Sequence, residues 1–135
     1  MLMKKRDQGN LFLTLDALIP LDHPYRKLDE LLPFDKLSLV YQGLYSSKGR
    51  KEKGFEFAIR ALIIQFMEDL SDREMERYLQ ENLASQWFCD MNLGEEAPDH
   101  SYFGDFRKRL GTERLMDIFS QVRNSLQGMG LIRGI

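Results

Sequence analysis

Residues 69–110 read DLSDREMERYLQENLASQWFCDMNLGEEAPDHSYFGDFRKRL. Ser71 is followed three positions later by Glu74, and this spacing predicts a capping box, in which each side chain bonds the free backbone N–H of the other residue at a helix start. We expect that helix over 71–82. Three of its side chains should face the core: Met75, Tyr78 and Leu79.

Two further helices are predicted in the same stretch. A short one contains Trp87 and Phe88, and a loop over 92–98 follows it. Asp99 or Ser101 then caps a helix that ends at Gly111, directly after a basic run. Short helices, brief breaks and a basic finish are typical of a helix-turn-helix DNA-binding unit.

The rest of the chain is also predicted to be helical. It has only four prolines, no alternating apolar run and no Asn-Gly or Asp-Gly hairpin turn. We expect a helix capped by Asp22, with Pro24 in its first turn and Pro33 at its end, then helices over about 35–45 and 55–69 around a basic loop, 46–54. Thr112 caps the last helix, whose apolar stripe contains Leu115, Ile118, Phe119, Val122, Leu126 and Met129. The sequence therefore predicts one all-α domain over 1–135, a compact multi-helix bundle.

Composition predicts a folded protein of the reducing cytosol. The 135 residues are 43% hydrophobic and 30% charged, enough for a single core. The lone Cys89 excludes an internal disulfide. No signal peptide is apparent, and the apolar segment 55–70 is interrupted by charges and shorter than the ~20 residues that cross a bilayer. We expect a cytoplasmic chain with no membrane contact.

Charge is unevenly distributed, although the net charge is only −2. Residues 1–53 carry 10 Lys/Arg against 7 Asp/Glu, residues 68–99 carry 2 against 10, and residues 100–135 carry 6 against 3. Any contact with nucleic acid should therefore come from the two basic flanks, with the acidic middle turned away.

The residues give no basis for catalysis, a cofactor or a metal site. The potential soft ligands His23, His100 and Cys89 lie far apart in sequence. No glycine-rich phosphate loop occurs. The acidic residues around the capping box are explained by helix starts and a solvated face; they are Asp69, Asp72, Glu74 and Glu76. A divalent-metal nuclease is disfavoured, since no predicted strand would carry its carboxylates.

The helix over 99–110 is the leading candidate for DNA contact. Phe103, Phe106 and Leu110 share one face, and the opposite face carries Ser101, Gly104, Asp105 and Lys108, with Arg107 and Arg109 on the two flanks. A recognition helix reads bases near its N-terminus and grips phosphates around them. We therefore expect His100, Ser101 and Gly104 near bases, and Arg107, Lys108 and Arg109 on phosphates. The loop residues Lys48, Arg50, Lys51 and Lys53 are further phosphate candidates.

Simpler interpretations remain open for each of these groups. Cations at a helix C-terminus favour the helix dipole without any partner, and a solvated surface loop is the favoured interpretation of 48–53. Gly104 costs about 1 kcal/mol relative to alanine inside a helix, so something near it needs space, either DNA or a packed helix. Trp87 and Phe88 are more typical of a core than of base stacking.

The sequence resembles the N-terminal domain of insertion-sequence transposases of the InsH type. The similarity runs almost end to end, through Leu18-Ile19-Pro20, Asp22-His23-Pro24, Tyr45 with Gly49-Arg50, residues 70–74, Asn82-Leu83, Trp87-Phe88, residues 98–101, residues 106–110 and residues 126–130. Two places depart from the family's pattern. Lys51-Glu52-Lys53-Gly54 replaces a proline-containing helix start, and Tyr102 and Gly104 replace commoner small or aliphatic residues.

The resemblance implies binding of double-stranded DNA at the terminal inverted repeats of a transposable element. It also implies that catalysis belongs to a downstream ribonuclease-H-like domain with three metal-binding carboxylates, which we expect to be absent from 1–135. On this interpretation the chain is bacterial, lies in the cytoplasm and associates with the nucleoid when bound. The alternative is a protein-interaction module or remnant that forms a homodimer or pairs with an intact transposase and regulates it, through the apolar stripe 115–129.

Overall fold

A computed structural model of the protein describes residues 14–32 and 54–129. Every regular element in these two ranges is a helix, which confirms the predicted all-α bundle. The predicted 35–45 helix, Pro33 and the loop cations Lys48, Arg50, Lys51 and Lys53 lie outside the described residues. The helices are α1 (Leu15–Leu18), α2 (Pro24–Leu31), α3 (Phe55–Glu68), α4 (Asp72–Glu81), α5 (Leu83–Phe88), α6 (Ser101–Leu110) and α7 (Thr112–Met129).

Helix α3 lies at the centre of the core. Its sequence, FEFAIRALIIQFME, is apolar around most of its circumference, and eight of its residues are buried. It packs against α5 and α6. The helix ends at Glu68 because Asp69 adopts the left-handed conformation, with φ 56° and ψ 54°, which a short polar side chain tolerates better than most.

Helices α4 and α5 meet at a corner made by one residue, Asn82. The predicted capping box opens α4: the Ser71 Oγ accepts from the Glu74 N–H, and the Glu74 carboxylate accepts from the Ser71 N–H. At the other end, the Asn82 N–H donates to the Tyr78 carbonyl and ends α4, and the Asn82 side chain caps α5 by accepting from the N–H of Ser85. The buried Gln86 donates to carbonyls in the last turn of α4. These groups satisfy backbone atoms that a helix end leaves unpaired.

Helices α6 and α7 meet at Gly111. Its φ of 93° lies in the region that favours glycine, its N–H donates to the Arg107 carbonyl, and its own carbonyl accepts from the Leu115 N–H. Thr112 is therefore the first residue of α7, rather than the cap expected from sequence. On the predicted stripe, Ile118, Val122 and Leu126 are fully buried, while Leu115 and Phe119 are partly buried against the same core.

The cap of α2 corrects the sequence prediction. His23 caps the helix instead of Asp22, and its Nδ1 accepts from the Tyr25 N–H at 3.0 Å. Pro24 is the first helical residue, so the cap must be the residue before it, and a residue before proline favours the extended conformation that His23 adopts. Asp22 is exposed.

Helices α1 and α2 are joined to α5 by the guanidinium of Arg26. It forms an ion pair of 2.9 Å with Asp16, donates to the Ile19 carbonyl, and lies 4.7 Å from the centre of the Trp87 ring. The Trp87 Nε1–H donates to the same Asp16 carboxylate. Phe88 is buried in the core. The two aromatic residues of α5 therefore serve packing, as the sequence favoured.

No described helix combines the length and the apolar character that a membrane crossing would need.

Candidate nucleic-acid interface

Helix α6 has the two faces predicted from its sequence. Phe103, Phe106 and Leu110 are buried, with 1–3% of each residue exposed. The Phe106 ring lies 5.8 Å from that of Phe55 on the central helix. Four side chains are exposed on the outer side of the helix: Ser101, Asp105, Lys108 and Arg109. The apolar face fixes which residues the helix presents to a partner.

The N-terminus of α6 is joined to α4 through His100 and Glu76. One Glu76 carboxylate oxygen accepts from the His100 backbone N–H at 2.9 Å and lies 3.2 Å from the His100 Nδ1. The N-cap residue is His100, which makes no side-chain cap bond, rather than Asp99 or Ser101 as expected from sequence. The Asp99 carboxylate accepts from both the N–H and the hydroxyl of Ser101, the first residue of the helix. These bonds from Ser101 hold the pKa of Asp99 below its usual value. His100 and Ser101 are thus placed by bonds within the chain.

Glu76, Asp99 and His100 also form a group that could hold a metal ion. One ligand atom from each residue lies within 4.8 Å of the others. The spacing of His and Cys residues in the sequence did not predict this group, since two of its members are carboxylates from separate segments. Hydrogen bonds within the chain explain the arrangement without an ion.

Arg107 is bound by residues of two other segments. Its Nη1 and Nη2 donate to the two carboxylate oxygens of Asp72 at 3.0 and 2.8 Å, and Nη1 also donates to the Gln65 Oε1 at 3.2 Å. The Gln65 amide donates in turn to Asp72 at 2.8 Å. The Arg107 guanidinium, helped by the Gln65 amide, holds the pKa of Asp72 below its usual value.

These contacts refine the expected role of the acidic segment. Asp72 and Glu76 do not lie on a solvated face turned away from the basic helix; both point across the α4–α6 contact and hold α6 in place. Glu74 belongs to the capping box, and Asp69 ends α3. Sequence reasoning missed Gln65 and the Asp72–Arg107 pair, because the partners are 42 and 35 positions apart from Arg107 and no local pattern joins them.

Gly104 is not required by packing in the described structure. A Cβ placed on it would lie 3.5 Å from the Asp72 Oδ2 and 3.6 Å from the Arg107 Nη2, which is ordinary contact distance. Neither a left-handed backbone nor a close helix explains the glycine. A side chain longer than alanine at position 104 would restrict access to the Asp72–Arg107 ion pair.

Lys108 is a cation on the outer face of α6. It is exposed, and within residues 14–32 and 54–129 it has no ion pair or hydrogen bond. Arg109, next to it, is also exposed. The six sequence-predicted residues of this region, 100, 101, 104 and 107–109, are therefore brought together on α6 and its N-cap.

A helix-turn-helix unit is not confirmed. Such a unit joins its two helices by three or four residues, whereas residues 89–100 separate α5 from α6. Single residues join α4 to α5 and α6 to α7. Helix α6 thus lies against α4 and α7, in an arrangement that the linear pattern did not specify.

A family model described as "Transposase domain (DUF772)" matches residues 13–109, more than half of the chain and all of α6 except its last residue. A search of curated proteins and a search of solved structures found no match to the chain.

Proposed function

The chain belongs to the transposase domain family DUF772, whose role is in DNA transposition, and from this we propose that it binds the double-stranded terminal inverted repeats of a transposable element. It does so as the N-terminal part of a DDE transposase, in keeping with the resemblance of its motifs. Helix α6 enters the major groove, and catalysis belongs to another part of the enzyme.

The observation that carries this proposal is the outer face of α6. Its N-terminal half presents small residues, Ser101 and Gly104, which allow close approach to base edges. Its C-terminal half presents the exposed cations Lys108 and Arg109, which would bind phosphates beside the groove. The loop cations at 48, 50, 51 and 53 add phosphate contacts in the same proposal.

The support beneath α6 favours this function. The helix is held against the core by its three buried side chains. Glu76 also binds its N-terminus through His100, and Asp72 binds its C-terminal half through Arg107. A recognition helix must be held rigidly, because a displacement by a fraction of the distance between base pairs would break its hydrogen bonds with the bases.

Binding to the DNA that flanks the coding gene tests the proposal. We expect a mobility shift that is tighter for the element's ends than for unrelated duplexes of equal length. If α6 makes three phosphate contacts, affinity should fall roughly 40-fold between about 50 and 200 mM salt, since each contact contributes about 0.9 to the salt slope. Equal affinity for unrelated DNA, together with no salt dependence, would exclude the function.

A further inference from the structure

The guanidinium of Arg107 has donors to spare after its internal bonds are made. Of its five N–H groups, three donate to described residues: two from Nη1, to Gln65 and Asp72, and one from Nη2, to Asp72. Within residues 14–32 and 54–129, no acceptor is found for the other two, the Nε–H and the second N–H of Nη2. They lie side by side on one edge of the planar group.

Through this side edge, formed by Nε and Nη2, an arginine can donate two parallel hydrogen bonds to two oxygens of one phosphate. Asp72 holds the end of the guanidinium, so the side edge is left for another anion. About a third of the Arg107 side chain, 34%, is exposed to solvent. An arginine can thus be fixed by one carboxylate and still bind a second, external acceptor.

Gly104 lies one turn before Arg107. It is close to the Arg107 Nη2, which donates to Asp72 and also forms the side edge together with Nε. Among the described residues, the side-chain atoms within 4 Å of a Cβ at this position are the Asp72 Oδ2 and the Arg107 Nη2. Alanine would fit at these distances, but a side chain that continues beyond Cβ would extend over the ion pair. The glycine therefore keeps this flank of the guanidinium open.

We propose that Asp72 and Gln65 are positioning residues that hold Arg107 ready to bind one phosphate of the DNA backbone, and that Gly104 keeps the approach to it open. This inference rests on the DNA-binding function proposed above. It assigns roles to three residues, Gln65, Asp72 and Gly104, in terms of one contact made by Arg107.

Positioning improves binding because a free arginine loses rotational freedom when it grips a phosphate. In the folded chain that freedom is already restricted by Asp72 and Gln65. Removing the restraint should weaken DNA binding by roughly 2- to 12-fold, the effect of immobilising one flexible side chain. Asp72 also carries a negative charge. If its role were only to neutralise Arg107, removing that charge would strengthen DNA binding instead of weakening it.

The Gly104 series separates binding from folding. Gly104→Ala and Gly104→Leu both replace glycine with a better helix former, so neither should lower the thermal midpoint. The probe is a fluorescein-labelled duplex of the best-bound sequence recovered from random duplexes, measured by anisotropy. We expect affinity to fall from the wild type through Gly104→Ala to Gly104→Leu, and Gly104→Leu to lose about 0.9 of the salt slope, the share of one phosphate. Equal binding and equal slope for both variants would overturn the open-approach role.

A double-mutant cycle tests the positioning role. Asp72→Asn should weaken binding in the wild type and have no further effect in Arg107→Gln, because Asp72 acts through Arg107. Glu81→Gln is the matched control: it removes the same charge from the exposed far end of α4 and should leave affinity unchanged or slightly raised. All variants are compared at a temperature where circular dichroism shows each of them folded.

The outcomes distinguish this inference from the function on which it rests. Tighter binding by Asp72→Asn than by the wild type, or an equal loss in both backgrounds, overturns the positioning role while DNA binding stands. A wild-type chain that binds no duplex in a salt-dependent way overturns both.

Discussion

Replacing Lys108 by alanine should remove one phosphate contact without disturbing the fold. Lys108 is exposed on the outer face of α6 and has no bond within the described residues, so no internal partner is orphaned. Alanine is also the best helix former. The variant should therefore unfold at the same temperature as the wild type or slightly above it.

The magnitude follows from counterion release. One lost phosphate contact lowers the slope of log affinity against log salt by about 0.9, so a fourfold rise in salt should weaken the variant about 3.5-fold less than the wild type. This loss should be similar for element ends and for unrelated DNA, because a phosphate contact carries no sequence information.

Fluorescence anisotropy at four or more salt concentrations measures the slope directly. Lys27→Ala is the matched control, since Lys27 is an exposed lysine on α2, a helix that packs against α5. It removes the same charge and should leave the slope unchanged. Equal slopes for the wild type and Lys108→Ala would refute the placement of this face of α6 on DNA, whatever the affinities.

Three further predictions concern the rest of α6, its support and the core. Asp105→Asn removes an exposed carboxylate from the outer face of α6. It should tighten binding to unrelated duplexes by about two- to fivefold, the effect of one exposed charge. Competition binding measures this change, and weaker binding by the variant would contradict the assignment of this face to DNA. The lowered pKa of Asp72 means that its ionised form stabilises the fold above the unfolded value of 3.8, and this stabilisation is lost as the pH falls through the lower folded value. The stability difference between the wild type and Asp72→Asn in urea should thus be constant well above pH 3.8 and shrink below it, whereas a difference that grows in acid would reverse the sign of the argument. Ile118→Ala should destabilise the chain by about 2–5 kcal/mol, because Ile118 is fully buried; Met116→Ala, at a position 62% exposed on the same helix, is the control and should change the urea midpoint little.

Local features of the fold were predictable where the interacting groups are near neighbours in sequence. The capping box of Ser71 and Glu74 is an i, i+3 interaction, so its two letters are enough to place the start of α4. The buried stripe of α7 follows from helical periodicity. The cap of α2 was misplaced by one residue, because propensity favours Asp22 while the geometry of Pro24 requires His23.

The candidate interface was predicted in part. Helical spacing alone separated Phe103 and Phe106 from Ser101 and Lys108, and the structure has the same two faces. The internal partners of Arg107 and His100 were not predictable, because they come from α3 and α4. A charged residue next to other charged residues has the same sequence signature whether it binds a partner helix or solvent.

The sequence by itself determined the helical class, most helix boundaries and the polarity of α6, since each depends on interactions within about one turn of the chain. The tertiary structure decided what the acidic segment 69–98 does for the basic helix that follows it. Its carboxylates at 72 and 76 hold Arg107 and His100 through contacts that span 35 and 24 positions. Such contacts exist only once the core has packed α4 against α6, and packing is a property of the whole chain.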